Sequence, residues 1–138
     1  MSPSSLAQVE LLFDGGSRGN PGPAYGSYRL KLPGRPDGLL RRRTFGRMTN
    51  NEAEYATLIA GLEDLSGQLA HEGILEAGVR LEIRGDSQLV IEQLTGAWRV
   101  RNPRLRILWE RARELLACYG AVSYSRIPRW RVVAVLGH

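Results

Sequence analysis

The chain has 138 residues, of which 43% are hydrophobic and 24% charged, and it carries a formal net charge of +5. This size predicts a single domain over residues 1–138 that needs no disulfide, and the only cysteine, Cys118, is expected to pack as a small apolar residue. The polar first residues and the absence of a long apolar run argue against a secretory signal and a membrane span. We therefore expect a cytoplasmic protein with no membrane partner.

Positive charge is concentrated toward the end of the sequence. Nine arginines and two glutamates follow residue 98, which gives this part a net charge of +7, whereas the preceding part carries −2. The planar guanidinium group can bind phosphate through two hydrogen bonds at once. The distribution favours a polyanionic partner, although a solvated basic face is the simpler explanation.

The first third of the chain predicts three antiparallel strands. Apolar residues indicate a strand over residues 9–14, and alternation indicates two more over residues 24–32 and 39–47. Prolines and glycines in residues 33–38 predict a turn between the second and third strands. Arginines 41–43 either contact phosphate or, more simply, keep a sheet edge soluble.

A helix follows these strands. Thr49 and Glu52 have the spacing of a capping box, which predicts a helix over residues 50–69. A polar, glycine-containing linker is expected near residues 67–78, before a fourth strand over residues 79–84. Because a strand–helix–strand connection is right-handed, the first and fourth strands should be parallel, and their adjacency is left open by this pattern.

The remaining residues predict two helices and one strand. The helices cover residues 87–94 and 104–118, and the strand covers residues 121–127. The apolar stripe of the second of these helices is predicted to contain Leu105, Leu108, Ala112 and Leu115.

Three acids occupy positions that are unusual for a charged side chain. Asp14 and Asp86 end the first and fourth strands, where open α/β sheets place their ligands, and Glu54 falls on the apolar stripe of the helix between them. Each has a simpler explanation: Asp14 as a turn residue, Asp86 as a helix N-cap, and Glu54 as a glutamate that reaches solvent. If the strands are adjacent, the three carboxylates converge.

Converging carboxylates need a counter-charge. Two negative charges about 4 Å apart repel each other by roughly 4 kcal/mol at an effective dielectric near 20. A hard divalent cation removes this repulsion and prefers oxygen ligands, which points to Mg²⁺ or Mn²⁺. Together with the basic face and the glycine-rich loop after Asp14, the carboxylates predict a metal-dependent phosphodiester enzyme.

Three ordered motifs, over residues 14–23, 49–55 and 85–88, resemble those of type 1 ribonuclease H in its form without a basic protrusion. The resemblance continues to residue 129 and so covers nearly the whole chain. It implies an α/β, ribonuclease H-like fold: a five-stranded mixed sheet of order 3-2-1-4-5, flanked by helices, with a C-terminal helix that is short or absent.

The resemblance also implies hydrolysis of the RNA strand of an RNA/DNA hybrid with two Mg²⁺ ions, or Mn²⁺ as a substitute. Asp14 resembles the acid that bridges both ions, and Glu54 and Asp86 resemble the other ligands of the second ion. Arg126 replaces a histidine of many relatives and is expected to contact phosphate or product. The other matching contact positions are Gly15, Gly16, Asn51 and Gln88 for the minor groove and 2′-hydroxyls, Asn20 and Thr49 for a DNA-strand phosphate, and Trp98 for the DNA-strand channel.

The end of the chain departs from the family pattern. The family has a fourth acidic ligand there, but no acid follows Glu114, and an Asp between Ala134 and Val135 would be needed to restore the pattern. His138 is a weak candidate for a substitute ligand.

Two functions remain open after this departure. One is a monomeric endonuclease that cleaves RNA/DNA hybrids, with activity impaired because the fourth acidic ligand, which lines the first metal ion, is absent. The alternative is a weakly active or inactive module of the same fold that binds hybrid or double-stranded RNA. A purely structural, partner-binding domain is disfavoured because it leaves Glu54 unexplained.

Overall fold

The computed structural model describes residues 5–35 and 37–137. Pro36 in the predicted turn and His138, the substitute-ligand candidate, lie outside the described residues. No helix in those ranges is long and apolar enough to cross a membrane. The elements there are β1 (Ala7–Ser17), β2 (Gly22–Lys31), β3 (Leu39–Met48), α1 (Asn50–His71), a 3-10 turn (Glu76–Gly78), β4 (Val79–Gly85), α2 (Gln88–Leu94), α3 (Pro103–Leu116), β5 (Ala121–Arg126) and α4 (Arg129–Leu136).

The five strands form one mixed sheet of order β3-β2-β1-β4-β5. β1 and β3 are antiparallel to β2, whereas β4 is parallel to both β1 and β5. The predicted α/β fold and strand order are therefore confirmed. Since β1 and β4 are adjacent and parallel, residues after their paired segments meet at the same edge of the sheet.

Helix α1 covers one face of the sheet and buries the main core. Its N-terminus has the predicted capping box: the Glu52 amide donates to Thr49 Oγ1 at 3.2 Å, and the Thr49 amide donates to Glu52 Oε1 at 2.9 Å. The leucines of its inner face are fully buried in the cluster that the helix forms with the sheet, mainly with β1 and β2; they are Leu58, Leu62, Leu65 and Leu69. This burial fixes the helix rigidly on the sheet.

The predicted start of the linker after α1 is wrong. The helix continues through Gly67 and ends at His71. A glycine inside a helix costs about 1 kcal/mol relative to alanine. Here Leu65 and Leu69, both fully buried on either side of Gly67, outweigh that cost.

Two glycines let α1 approach the sheet backbone closely. A Cβ atom on Gly15 would lie 2.5 Å from the Ala53 carbonyl oxygen, and one on Gly26 would lie 2.8 Å from Thr57 Cβ. Neither β1 nor β2 could carry a side chain at these points without moving α1. The two glycines therefore set the distance between helix and sheet beside the carboxylates.

The opposite face of the sheet is covered by the short helix α4. A second, smaller apolar cluster joins it to β1 and consists of Leu12, Ile127, Val132 and Leu136. The helix stops at Gly137, whose φ of +80° suits glycine. The expected C-terminal helix is thus present and short.

Two expectations about α3 and the residues after it need correction. Cys118 is exposed, not packed as an apolar residue, because α3 ends at Leu116 and Cys118 lies in the turn beyond it. On α3, Leu105, Ala112 and Leu116 are buried, whereas Leu108 and Leu115 are half-buried. The buried face of the helix is therefore rotated slightly from the predicted stripe.

Candidate metal centre and nucleic-acid surface

Asp14 lies where β1 and β4 separate. The parallel pairing of these strands stops at Leu12 and Arg84, but β1 goes on to Ser17 through its pairing with β2. The prediction that the first strand ends at Asp14 is therefore wrong. The Asp14 residue is only 3% exposed, which excludes the simple solvent-facing turn.

Glu54 and Asp86 converge on Asp14. Carboxylate oxygens of the three residues lie within 4.8 Å of one another. Glu54 is in the N-terminal part of α1, where the Gly15 amide donates to its Oε2 at 3.0 Å. This hydrogen bond ties the helix carboxylate to the strand that carries Asp14.

Asp86 follows β4 and is not the cap of α2. The N-cap is Ser87, whose Oγ accepts a hydrogen bond from the Val90 amide at 3.3 Å. The N-cap explanation of Asp86 is therefore wrong, and its carboxylate is directed to the cluster. The sequence could have shown this, because serine is itself a favoured N-cap.

The cluster strongly perturbs Glu54. Burial, the negative charge of Asp14 and, to a smaller extent, that of Asp86 raise the pKa of Glu54 well above its ordinary value, although the Gly15 hydrogen bond and Arg129 act in the opposite direction. A carboxyl group in this position holds its proton unless positive charge is supplied. The cluster thus has the electrostatics of a cation site.

Arg129 supplies positive charge from the first turn of α4. Its Nη1 lies 2.7 Å from Asp14 Oδ1 and 3.3 Å from Asp86 Oδ2. The hydrogen bond to Asp14 and the charges of both aspartates raise the pKa of Arg129, so it stays protonated. Sequence reasoning did not predict this contact. A signal existed, since a cation in the first turn of a helix opposes the helix dipole and needs an anionic partner.

The glycine-rich loop is tied to the start of α1. The Asn50 amide donates to Asn20 Oδ1 at 3.0 Å, and the Ser17 amide donates to Asn50 Oδ1 at 2.8 Å. The Thr49 hydroxyl is engaged in the helix cap. Asn20 thus lies against the residue that follows Thr49, and the phosphate pocket of Asn20 and Thr49 stays a prediction. Asn50 is a contact that the sequence did not single out.

The other predicted contact residues lie around the cluster with different exposures. Asn51 and Gln88 are exposed, Gly15 is half-buried and donates its amide to Glu54, and Gly16 is buried. Arg126 Nε donates to the Asp86 carbonyl oxygen at 3.3 Å, so this arginine borders the carboxylates.

Trp98 lies apart from this group. Its side chain is 44% exposed and lines a separate hollow of about 650 Å³ together with Arg99, Arg106 and Trp109. The described residues that line this hollow include none of the three carboxylates.

Comparisons with known proteins identify the family. A family model described as "Reverse transcriptase-like" matches residues 34–135. Ribonuclease HI of Halobacterium salinarum is 43% identical over 131 residues, which is 94% of this chain. The crystal structure of RNase H1 from that organism superposes with a TM-score of 0.76 at 44% identity, covering 91% of this chain and 89% of the other. The chain belongs to the ribonuclease H family.

Other ribonuclease H structures share the architecture. The N-terminal RNase H domain of Rv2228c from Mycobacterium tuberculosis has a TM-score of 0.80 at 36% identity, covering 93% of this chain and 87% of that one. LC11-RNase H1, solved in complex with an RNA/DNA hybrid, has a TM-score of 0.79 at 28% identity, covering 91% and 89%. This chain spans only 61% of the full length of the Halobacterium relative and 32% of that of Rv2228c.

Proposed function

We propose that this chain is a ribonuclease H that hydrolyses the RNA strand of RNA/DNA hybrids with the help of divalent cations. The observation that carries the proposal is the convergence of Asp14, Glu54 and Asp86 within 4.8 Å in a ribonuclease H fold. The name of the Halobacterium relative and the hybrid bound to LC11-RNase H1 support the same reaction and substrate.

The donor set fits a hard divalent cation. All three converging side chains are carboxylates, and burial together with the negative charges of Asp14 and Asp86 raises the pKa of Glu54. Mg²⁺ and Mn²⁺ prefer such oxygen ligands. A divalent cation held there would supply activation of the attacking water and stabilisation of charge on the leaving oxygen. Asp14, Glu54 and Asp86 would hold one ion, and we propose that Asp14 would also hold a second.

The residues of this chain have separable tasks in the proposed reaction. The Gly15 amide orients Glu54. Arg129 balances the charge of Asp14 and Asp86 and would compete with a divalent cation for them. Arg126, beside Asp86, is positioned to bind a substrate phosphate.

Recognition of the RNA strand would depend on groups that contact its 2′-hydroxyls. Asn51 and Gln88 are exposed next to the carboxylate-bearing elements and offer amide donors and acceptors. A 2′-hydroxyl distinguishes RNA from DNA at a given position. The loop that joins Asn20 to Asn50 would position the other strand through a phosphate, and Trp98 would contact that strand farther away.

A second candidate is a weakly active or inactive module that binds hybrid or double-stranded RNA. The observation that favours it is the composition of α4, which has no acid and places Arg129 against the carboxylates. A site of this kind would bind the first ion weakly, because Asp14 alone would anchor it. Binding of the nucleic acid needs no such ion and would survive.

One assay separates these candidates. The chain and its Asp14→Asn variant are incubated with labelled RNA/DNA hybrid, and separately with double-stranded RNA, in Mg²⁺ or Mn²⁺. Cleavage of the hybrid's RNA strand by the unmodified chain alone supports the nuclease. Binding without cleavage under both metals supports the binding module, and failure to bind either duplex contradicts both.

A further inference from the structure

A basic pocket opens on the sheet between β2 and β3, apart from the carboxylate cluster. Its volume is about 390 Å³. We call it the β2–β3 pocket, and its lining consists of Arg18, Tyr25, Gly26, Ser27, Arg42, Arg43 and Thr44. These described lining residues combine arginines with hydroxyl groups and include no carboxylate, which is the chemistry of a phosphate site.

The strand register places the hydroxyls and one arginine on the same face. Tyr25 pairs with Thr44, and Ser27 pairs with Arg42, so all four side chains share the face that α4 partly covers. Arg18 reaches the pocket from the turn between β1 and β2, where its amide donates to the Pro23 carbonyl oxygen at 2.9 Å. The pocket is therefore built from three separate segments of backbone.

The three consecutive arginines of β3 differ in their contacts. Arg41 forms an ion pair with Asp64 at 2.9 Å, and Arg43 donates to the Tyr28 hydroxyl at 3.1 Å, both on the α1 face. Arg42 is on the other face, where its Nη2 makes a long contact of 3.5 Å with the Leu136 carbonyl oxygen. A run that only kept the edge soluble would not require a concave surface with three hydroxyls beside Arg42.

The pocket lies in register with the carboxylate cluster. Asp14 pairs with Ser27, which pairs with Arg42, so the three residues form one row across β1, β2 and β3. Neighbouring strands are about 4.8 Å apart, which puts the Arg42 backbone roughly 10 Å from that of Asp14. One strand of a duplex has a phosphate about every 3.4 Å along the helix axis. A strand cleaved at Asp14 could therefore place its second or third neighbouring phosphate over the pocket.

We propose that the β2–β3 pocket binds a phosphodiester group of the RNA strand, two or three nucleotides from the bond that is cut. Arg42 and Arg18 contact its charged oxygens, and the hydroxyls of Tyr25, Ser27 and Thr44 complete the site. This inference rests on the proposed function. It adds an RNA-strand contact on the side of the sheet opposite to the β4–β5 side, where Arg126 lies.

The test measures binding without cleavage. Fluorescence anisotropy in EDTA gives the affinity for a DNA duplex in which a short block of ribonucleotides fixes the position of the protein, between about 50 and 200 mM salt. Arg42→Ala and Arg18→Ala should each weaken binding severalfold at low salt and reduce the slope of log K against log salt by about 1. Arg80→Ala is the matched control, because Arg80 lies at the start of β4, at the opposite end of the sheet.

The outcomes separate this inference from the proposed function. If the unmodified chain does not bind the duplex, the proposed function fails and the inference fails with it. If it binds, and Arg42→Ala and Arg18→Ala both show the same slope of log K against log salt as Arg80→Ala, the pocket inference alone is overturned. Arg42→Ala could disturb the fold, because Arg42 contacts the end of α4. Arg18→Ala is a second, independent test of the pocket, because Arg18 is exposed in a turn and its loss should leave the fold intact.

Neutral linkages identify the strand. A methylphosphonate linkage carries no charge. Placed in the ribonucleotide-containing strand, two or three nucleotides from the cut site, it should abolish the difference in affinity between the unmodified chain and Arg42→Ala. If only the same substitution in the DNA strand abolishes that difference, the assignment to the RNA strand is wrong.

Discussion

The β1–α1–β4 unit and helix α4 contribute opposite charges to the same place. The first brings three carboxylates within 4.8 Å of one another, whereas the second brings the guanidinium group of Arg129 to 2.7 Å from Asp14. The carboxylates are held by a large buried core, but α4 is held by a four-residue cluster. The acids are therefore built into the stable part of the fold, whereas the charge balance depends on the small peripheral helix α4.

The largest expected effect is on the carboxylate side. Glu54→Gln keeps the shape of the side chain and its acceptance of the Gly15 hydrogen bond but removes a charged ligand. Cleavage of the hybrid should fall at least about a hundredfold. Glu63→Gln is the matched control on the exposed face of the same helix, where Glu63 pairs with Arg111 at 3.4 Å. If Glu54→Gln kept full activity, the carboxylate cluster would not be the site of hydrolysis.

The two apolar clusters should differ in their contribution to stability. Leu58 lies in the fully buried face of α1. Leu58→Ala should lower the free energy of unfolding by about 4 kcal/mol, in the upper half of the usual range for a buried leucine. Leu136→Ala should cost less, because the end of α4 can shift to fill the space. Urea unfolding at a fixed pH measures both values. Equal losses would show that α4 is as firmly held as α1.

Removing the cation of α4 should strengthen metal binding. Arg129→Gln takes a positive charge away from Asp14 and Asp86, which should tighten Mn²⁺ binding by about tenfold. Isothermal titration calorimetry measures the dissociation constant directly, and Arg131→Gln on the same helix is the control for net charge. If both variants change the affinity equally, Arg129 does not compete with the ion.

The smallest effect is a pH dependence of stability without metal. Because the pKa of Glu54 is raised above its ordinary value of 4.5, the folded chain retains a proton that the unfolded chain releases above that pH. In EDTA, the stability contributed by this group is fully present below about pH 4.5 and is lost as the pH rises through the raised pKa. Thermal unfolding over a pH series should show this loss, and Glu54→Gln should lack it.

Much of the framework could be predicted from the sequence because its signals are local. Alternating residues indicated the strands, and Thr49 with Glu52 indicated the start of α1. The spacing of Glu54 from Leu58 placed a carboxylate on the inner face of that helix. The strand–helix–strand connection predicted that β1 and β4 are parallel, whereas their adjacency came from the strand order that the family resemblance implied.

The errors and omissions came from places where tertiary contacts override local patterns. Gly67 looks like a helix end, but buried leucines on either side keep it helical. Cys118 looks like a core residue, but its position depends on where α3 stops. The contact of Arg129 with Asp14 joins residues far apart in the chain, and no periodicity reports such a contact. The predicted substrate contacts stay predictions.

The close packing at Gly15 and Gly26 makes the thickness of the α1–sheet layer a property of the proposed reaction. Any side chain at either position would push α1 outward and carry Glu54 away from Asp14 and Asp86. A substitution that leaves every charged group intact could thus disable the site by changing a spacing of a few ångströms. In an engineering screen, these glycines should tolerate as little variation as the acids themselves.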